Sequence, residues 1–239
     1  MDPLAAEAKN RDPLRYAAAL YAPKDKRAAL FALAVFACEL AELPARVTNP
    51  ELGEIRLQFW QDALDGKDGA KLPAIAEIRA AIDQKVWPLA AFRNMIEARR
   101  ADLYDDRFGS VNDLEGYFGE TRGALFQLAD MALGGDAGQG ALAGHAGCVM
   151  GAAEAIAGSK AAALLPQDFP GGIVAFGLRH ADACAPLLAA LPAPLRPAFL
   201  PLAVARSNLV RSAAGRAPAS PLRIQFLLMK SALRGWPKH

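Results

Sequence analysis

The chain has 239 residues, 53% hydrophobic and 22% charged, which is long enough for a sizeable core and excludes disorder and low-complexity fibre. Its 53 alanines, set against comparatively sparse β-branched and aromatic residues, exclude an all-β protein. A net charge of +2 is too small to imply a nucleic-acid partner. Three widely spaced cysteines (Cys38, Cys148, Cys184), with no CxxC and no histidine pair beside them in sequence, read as reduced, buried thiols of an intracellular protein.

The opening stretch MDPLAAEAKNRD lacks a basic segment followed by an apolar run, so no secretory signal is expected. Asp12-Pro13 is a cap followed by a proline at the first helical position, and Asn49-Pro50 repeats the device. Pro23 opens PKDKRAALFALAVFACELAEL, a helix that Pro44 is expected to stop. This helix is apolar all round and therefore central and buried. Its longest apolar run, Ala28 to Cys38, is well short of the roughly 20 residues of a membrane span.

A helix over about 50–65 follows, with Glu51 and Glu54 in its first turn and Gly66 at its end. Further helical patterns cover about 73–85, 88–105, 111–133, 139–157, 176–190, 195–214 and 221–234, with Gly- or Pro-rich joints between them. One all-α domain follows, since no period-two alternation persists.

Several clusters invite a functional reading. Glu39 and Glu42 lie i, i+3 at the C-terminal end of the apolar helix, where acids are costly unless paired. They either pair with arginines such as Arg46 or Arg56 or line a polar cavity. Asp102, Asp105 and Asp106 sit beside Arg99 and Arg100 and read as a solvated charge network. Gly140, Gly144, Gly147 and Gly151 form one stripe that ends on Glu154, so a neighbouring helix or a ligand comes close to the backbone there.

The last helix separates Leu222, Phe226, Met229, Leu233 and Trp236 from Arg223, Lys230 and Arg234. That pattern suits a membrane interface or an acidic partner, although docking on the core is the plainer reading. From Ala183 onward there are eight basic residues and no acid, whereas residues 1–182 carry a balance of −6. Such asymmetry implies either an acidic partner or anionic membrane, or internal charge balance. His145, His180 and His239 are scattered along the sequence, and no GxSxG, HExxH or P-loop is present.

RAALFALAVFACELAEL followed by NPELGEIRLQFWQDAL resembles the opening helices of the squalene/phytoene synthase family, with Arg27, Phe36, Arg56, Trp60 and Asp62 in matching places. ARRADLYDDRFGSVNDLEGYFGETRGALFQLAD is similar to the family's acidic-aromatic segment and the helix after it (Asp102, Tyr104, Tyr117, Thr121, Gly123), and Leu165-Pro166-Gln167-Asp168 to its LPxD turn. The likeness runs from about residue 12 to 170. LGEIRLQFWQDAL is most similar to the branch that contains the mitochondrial complex I assembly factor. The resemblance implies an all-α, single-domain isoprenoid-synthase-like helical bundle over 1–239, with a basic region from about 183.

Enzymes of that family join two prenyl diphosphates head to head, with paired DxxxD motifs on facing helices holding Mg²⁺. Here the first motif falls on Ala41-Glu42-Leu43-Pro44-Ala45, and the second, expected within GAAEAIAGSKAAALLP, has no aspartate. A hard divalent ion needs converging carboxylate oxygens. The expectation is therefore a non-catalytic protein with no cofactor, acting in respiratory-complex assembly or lipid binding. Its implied partners are a protein, a lipid or isoprenoid in a central cavity, and an anionic membrane surface carried by Arg223, Lys230, Arg234 and Trp236. Nucleic acid is not among them, and the protein is expected in the cytoplasm, peripheral to the inner membrane. The alternative is an active Mg²⁺-dependent prenyltransferase with an atypical site built from Glu39, Glu42, Asp102 and Glu154.

Overall fold

Side-chain caps followed by proline set the helix starts at the N-terminal end. In the computed structural model, which describes residues 2–67, 72–104, 106–136 and 138–234, Asp2 accepts from the Leu4 N–H (3.1 Å) ahead of α1 (Pro3–Arg11). Asp12 accepts from the Arg15 N–H (2.8 Å) ahead of α2 (Pro13–Ala19). The sequence reading begins its helices at Asp12-Pro13; the same device one step earlier opens α1. A 3₁₀ turn, Lys24–Lys26, leads into α3 (Arg27–Arg46), and Asn49 caps α4 (Pro50–Asp65) through the Leu52 N–H (3.0 Å). Gly66 then ends α4 in the left-handed region (φ 79°), which a glycine adopts without strain. Next come α5 (Pro73–Asp83), α6 (Leu89–Ala98) and a 3₁₀ turn, Arg99–Leu103.

The remaining helices are α7 (Val111–Phe118), α8 (Ala124–Ala132), α9 (Gly140–Ile156), α10 (Gly172–Ala190), α11 (Arg196–Phe199), α12 (Pro201–Ala213) and α13 (Pro221–Arg234). A π-helical segment, Gly119–Gly123, joins α7 to α8 where one continuous helix is expected. The described residues contain no strand. The chain divides into two compact units, one ending at Asp106 and the other starting at Arg107.

In the first unit α3 is the central helix, packed by α1, α2, α4 and α5. Ten of its side chains are buried, among them Phe31, Val35, Phe36 and Leu40. Phe36 meets Trp60 and Phe92 edge-on at 5.8 and 5.5 Å between centroids, an arrangement aromatic quadrupoles favour. Pro44 does not stop the helix, which continues to Arg46. Proline removes the bond to the Leu40 carbonyl, and Arg46 holds the last turn through ion pairs to Glu39 and Glu42.

In the second unit α9 is central, flanked by α7, α8, α10, α12 and the π-helical segment. Phe126 stacks on Phe199 at 5.5 Å. By length and apolarity two helices, Lys24–Arg46 and Gly172–Ala190, reach what a membrane crossing needs, which the unbroken apolar run alone does not show. Cys148 and Cys184 are buried and Cys38 half-buried; burial first of all pushes their thiols up, to about 12, 12 and 11.

The glycine stripe of α9 splits into two halves. A Cβ on Gly147 would lie 2.6 Å from the Gly123 N and 2.7 Å from the Phe118 carbonyl, and one on Gly151 would overlap the Phe118 ring. The π-helical segment is thus the element that approaches the backbone. Gly140 and Gly144 face open space. Gly147→Ala is expected to cost about 1–3 kcal/mol in denaturant unfolding because the obstacle is backbone. Gly144→Ala should stabilise by about 0.5–1 kcal/mol through helix propensity; equal effects at both positions would contradict the packing described.

Asp130, near the end of α8, is fully buried, and neither carboxylate oxygen has a hydrogen-bond partner among the described residues. Burial, with a smaller push from Asp136, raises its carboxyl from the usual 3.8 to about 6. A raised acid keeps its proton in the folded state, so its stabilising effect is complete below about pH 4 and is lost as pH rises through 6. Asp130→Asn should therefore unfold like wild type near pH 4. At pH 7 it should be more stable by on the order of 1–3 kcal/mol, as read from unfolding midpoints across pH.

Candidate functional site

Of the carboxylates singled out in the sequence, Glu39, Glu42, Asp102 and Glu154 each have an arginine. Arg11, projecting from the end of α1, donates to Glu39 and, at 2.6 Å, to Glu42, while Arg46 donates to Glu39 at 3.0 Å and also to Glu42. Glu7 adds a third acid to Arg11 at 3.4 Å. Burial works against the Arg11 charge, but the hydrogen bonds and charges of Glu39 and Glu42 together outweigh it and hold the guanidinium above its ordinary range. The expected pairing with Arg46 is thus joined by Arg11, while Arg56 instead lines a cavity of about 250 Å³ with Glu39, Leu43, Arg46, Phe59 and Trp60.

Asp102 does not belong to a solvated network. It is buried, as is Arg99, and the two meet at 2.9 Å. The 3₁₀ turn Arg99–Leu103 packs on α3 and α4, and Leu103 fills the space beside Gly53, which draws the pair inside. Asp105 lies outside the described residues. Tyr104, one of the positions matched to the family pattern, donates its hydroxyl to Glu54 at 3.2 Å, and Glu54 also pairs with Arg100.

In the second unit the π-helical segment carries Arg122 into the interior. Its Nε donates to Glu154 at 2.9 Å and its Nη1 to the Thr121 hydroxyl at 3.0 Å, and Thr121 in turn donates to the Tyr117 carbonyl at 2.6 Å. The guanidinium also sits 5.1 Å from the Tyr117 ring centroid, within cation–π range. π-Helical turns often mark functional positions because they re-aim one side chain. Arg122 is the residue that sequence reasoning missed, and the run Gly119-Glu-Thr-Arg-Gly123 was its one local signal.

His145 and His180 are scattered in sequence but adjacent in space, with their Nδ1 atoms 2.9 Å apart and His180 Nε2 3.3 Å from Glu115. Burial is the first cause holding the His180 imidazole below its usual range; Glu115 opposes this, while His145 and Arg179 reinforce it. The two histidines lie on α9 and α10, whose pairing no spacing in sequence reveals. Among the described residues no three His, Cys, Asp or Glu side chains gather closely enough to hold a metal ion.

Of the carboxylates that the family resemblance brings to a divalent ion, Glu39 accepts from guanidinium groups on both oxygens, Glu42 on its Oε2 and Glu154 on its Oε2. What the arrangement does chemically is fix helices together by charge-assisted hydrogen bonds. Removing Arg11 would leave two neighbouring carboxylates with Arg46 alone. Arg11→Leu is expected to lower stability by on the order of 1–3 kcal/mol in urea unfolding. Adding Glu39→Gln and Glu42→Gln should restore much of that loss; an Arg11→Leu chain as stable as wild type would sink the assignment.

On α13 the apolar stripe does not dock on the core. Leu222, Phe226, Met229 and Leu233 are exposed, Leu222 to 84% and Leu233 to 74%, and the helix is seated through Leu228 and Ser231 instead. Trp236 lies outside the described residues. Arg223 reaches Ser207 (3.5 Å) and Arg211 the Ala217 carbonyl (2.5 Å). Among the described residues no ion pair joins these two, Arg216 or Lys230 to a carboxylate.

Comparison with known proteins places this geometry in context. Solved structures with the same fold include squalene synthase HpnC from Alicyclobacillus acidocaldarius (15% identity, TM-score 0.64, covering 89% of this chain and 95% of that one). A dehydrosqualene synthase in complex with ligand also matches (18% identity, TM-score 0.67, 98% and 96% covered). In sequence, assembly factor 6 of NADH dehydrogenase (ubiquinone) complex I from Bos taurus is 27% identical over 129 residues, 53% of this chain and 39% of the relative; the Homo sapiens protein is 26% identical over the same span. The 15-cis-phytoene synthase of Synechocystis is 28% identical over 131 residues, 52% of this chain and 38% of that protein. The aligned part thus spans well under half the length of these relatives. Residues 8–158 match the squalene/phytoene synthase family model, and the chain belongs to that family.

Proposed function

We propose that this chain is a non-catalytic member of the squalene/phytoene synthase family that works in the cytoplasm by binding protein in the assembly of a respiratory complex. The observation that carries the reading is the guanidinium occupancy of its carboxylates: Arg11 and Arg46 on Glu39 and Glu42, Arg99 on Asp102, Arg122 on Glu154. Prenyl-diphosphate chemistry places several negative charges beside the metal-binding carboxylates, and divalent cations reconcile the two. Carboxylates already neutralised by arginine have little capacity left for such ions. The likeness to a complex I assembly factor supports the assembly role.

A second reading is favoured by one specific likeness, that to 15-cis-phytoene synthase. It makes the chain an active prenyl-diphosphate transferase with Glu39, Glu42, Asp102 and Glu154 recruited to an atypical metal site. Incubating the purified protein with farnesyl or geranylgeranyl diphosphate and Mg²⁺, and extracting the products for mass spectrometry, separates the two. No head-to-head product and no released pyrophosphate are expected. A Mg²⁺-dependent product, abolished in Glu42→Gln, would establish the enzyme and end the proposal.

A further inference from the structure

We infer that the α12–α13 corner is a docking surface for anionic phospholipid bilayer. Between these helices lies an open cavity of about 530 Å³, with Arg206, Arg211, Arg216, Arg223 and Lys230 along its wall and Phe226 at its rim. Its volume is in the range of small-ligand sites, enough for a phosphorylated head group. No acid lines this cavity and none occurs from Ala183 to the last residue, so the charge along its wall has one sign and draws in anionic surfaces. The Ala219 N–H donates to Asn208 (2.9 Å), which ties the turn between the helices and fixes the two walls relative to each other.

The second observation is the stripe beside that cavity. Leu222, Phe226, Met229 and Leu233 recur at i, i+4, i+7 and i+11 and all face outward. On a helical projection at about 100° per residue, Arg223, Lys230 and Arg234 sit together on the flank next to them. An apolar ridge with cations along one side matches the layering of a bilayer interface, where acyl chains and phosphates lie a few ångströms apart in depth. A second copy of this chain would bring like charges together. An acidic protein would match the cations but would also need a pocket for four long apolar side chains.

Co-sedimentation of the full chain with vesicles tests the assignment. The protein should pellet with vesicles of phosphatidylcholine mixed with phosphatidylglycerol, remain in solution with phosphatidylcholine alone, and release as salt rises. Arg223→Gln with Lys230→Gln should weaken partitioning by about 25-fold, from roughly fivefold per cation. Leu222→Ser with Phe226→Ser should weaken it by about tenfold or more. Leu222, Arg223 and Phe226 are exposed and Lys230 half-buried, and unchanged thermal unfolding shows that both variants fold. Soluble glycerol phosphate should not compete at concentrations that match the vesicle phosphate, which separates a surface from a free anion.

Four results would each overturn the inference. They are equal binding to both vesicle types, indifference to either pair of changes, retention on polyglutamate without vesicle binding, and a concentration-dependent dimer abolished by the serine pair. None of these depends on whether the chain condenses prenyl diphosphates, so the two proposals stand or fall separately.

Discussion

Arginine–carboxylate pairing is the constraint on which this molecule turns. A carboxylate held among apolar helices is expensive unless an opposite charge shares its environment, and removing one partner costs more than the pair contributes. In the first unit Arg11 ties α1 to the end of α3, and Arg46 secures the turn that Pro44 weakens. In the second unit Arg122 ties the π-helical segment to α9 through Glu154. The same bonds that hold these elements together neutralise Glu39, Glu42 and Glu154.

Much of the helical framework was legible because its punctuation is local. Asp12-Pro13, Asn49-Pro50 and Gly66 act through backbone atoms within three residues, so their effect does not depend on the rest of the fold. The errors arise where tertiary contacts override that local grammar. Pro44 sits inside α3 because ion pairs from Arg46 and Arg11 bridge the weakened turn. The span 111–133 contains a π-helical segment whose backbone packs against Gly147 of α9, while Gly151 leaves room for the Phe118 ring. Neither cause lies within the segment concerned.

The candidate site was legible in its residue types and obscure in its partners. Glu39 and Glu42 stood out through their position, and their need for cations followed from the physics of burial, but Arg11 is 28 residues away from Glu39. The Asp102–Arg99 pair read as solvated because charge density alone does not reveal that Leu103 and its turn are drawn into the first unit. His145 and His180 meet only because α9 and α10 pair side by side. On α13 periodicity identified the apolar face correctly, yet not which face the core takes; Leu228 and Ser231, not the longer stripe, make the contact.

The π-helical segment also limits how this chain tolerates changes in length. It accommodates its extra backbone between α7 and α8, whose downstream face points Leu125, Phe126 and Leu128 inward. A widened turn holds one residue more than an α-turn, so deleting one residue within 119–123 would let the backbone relax to ordinary α geometry while α8 keeps its phase. Phe126 would stay on Phe199, whereas Arg122 would lose the widened turn that aims it at Glu154. The bulge thus stores one residue of slack: a deletion inside it is absorbed locally, whereas a deletion within α7 or α8 turns the inward pattern out of step.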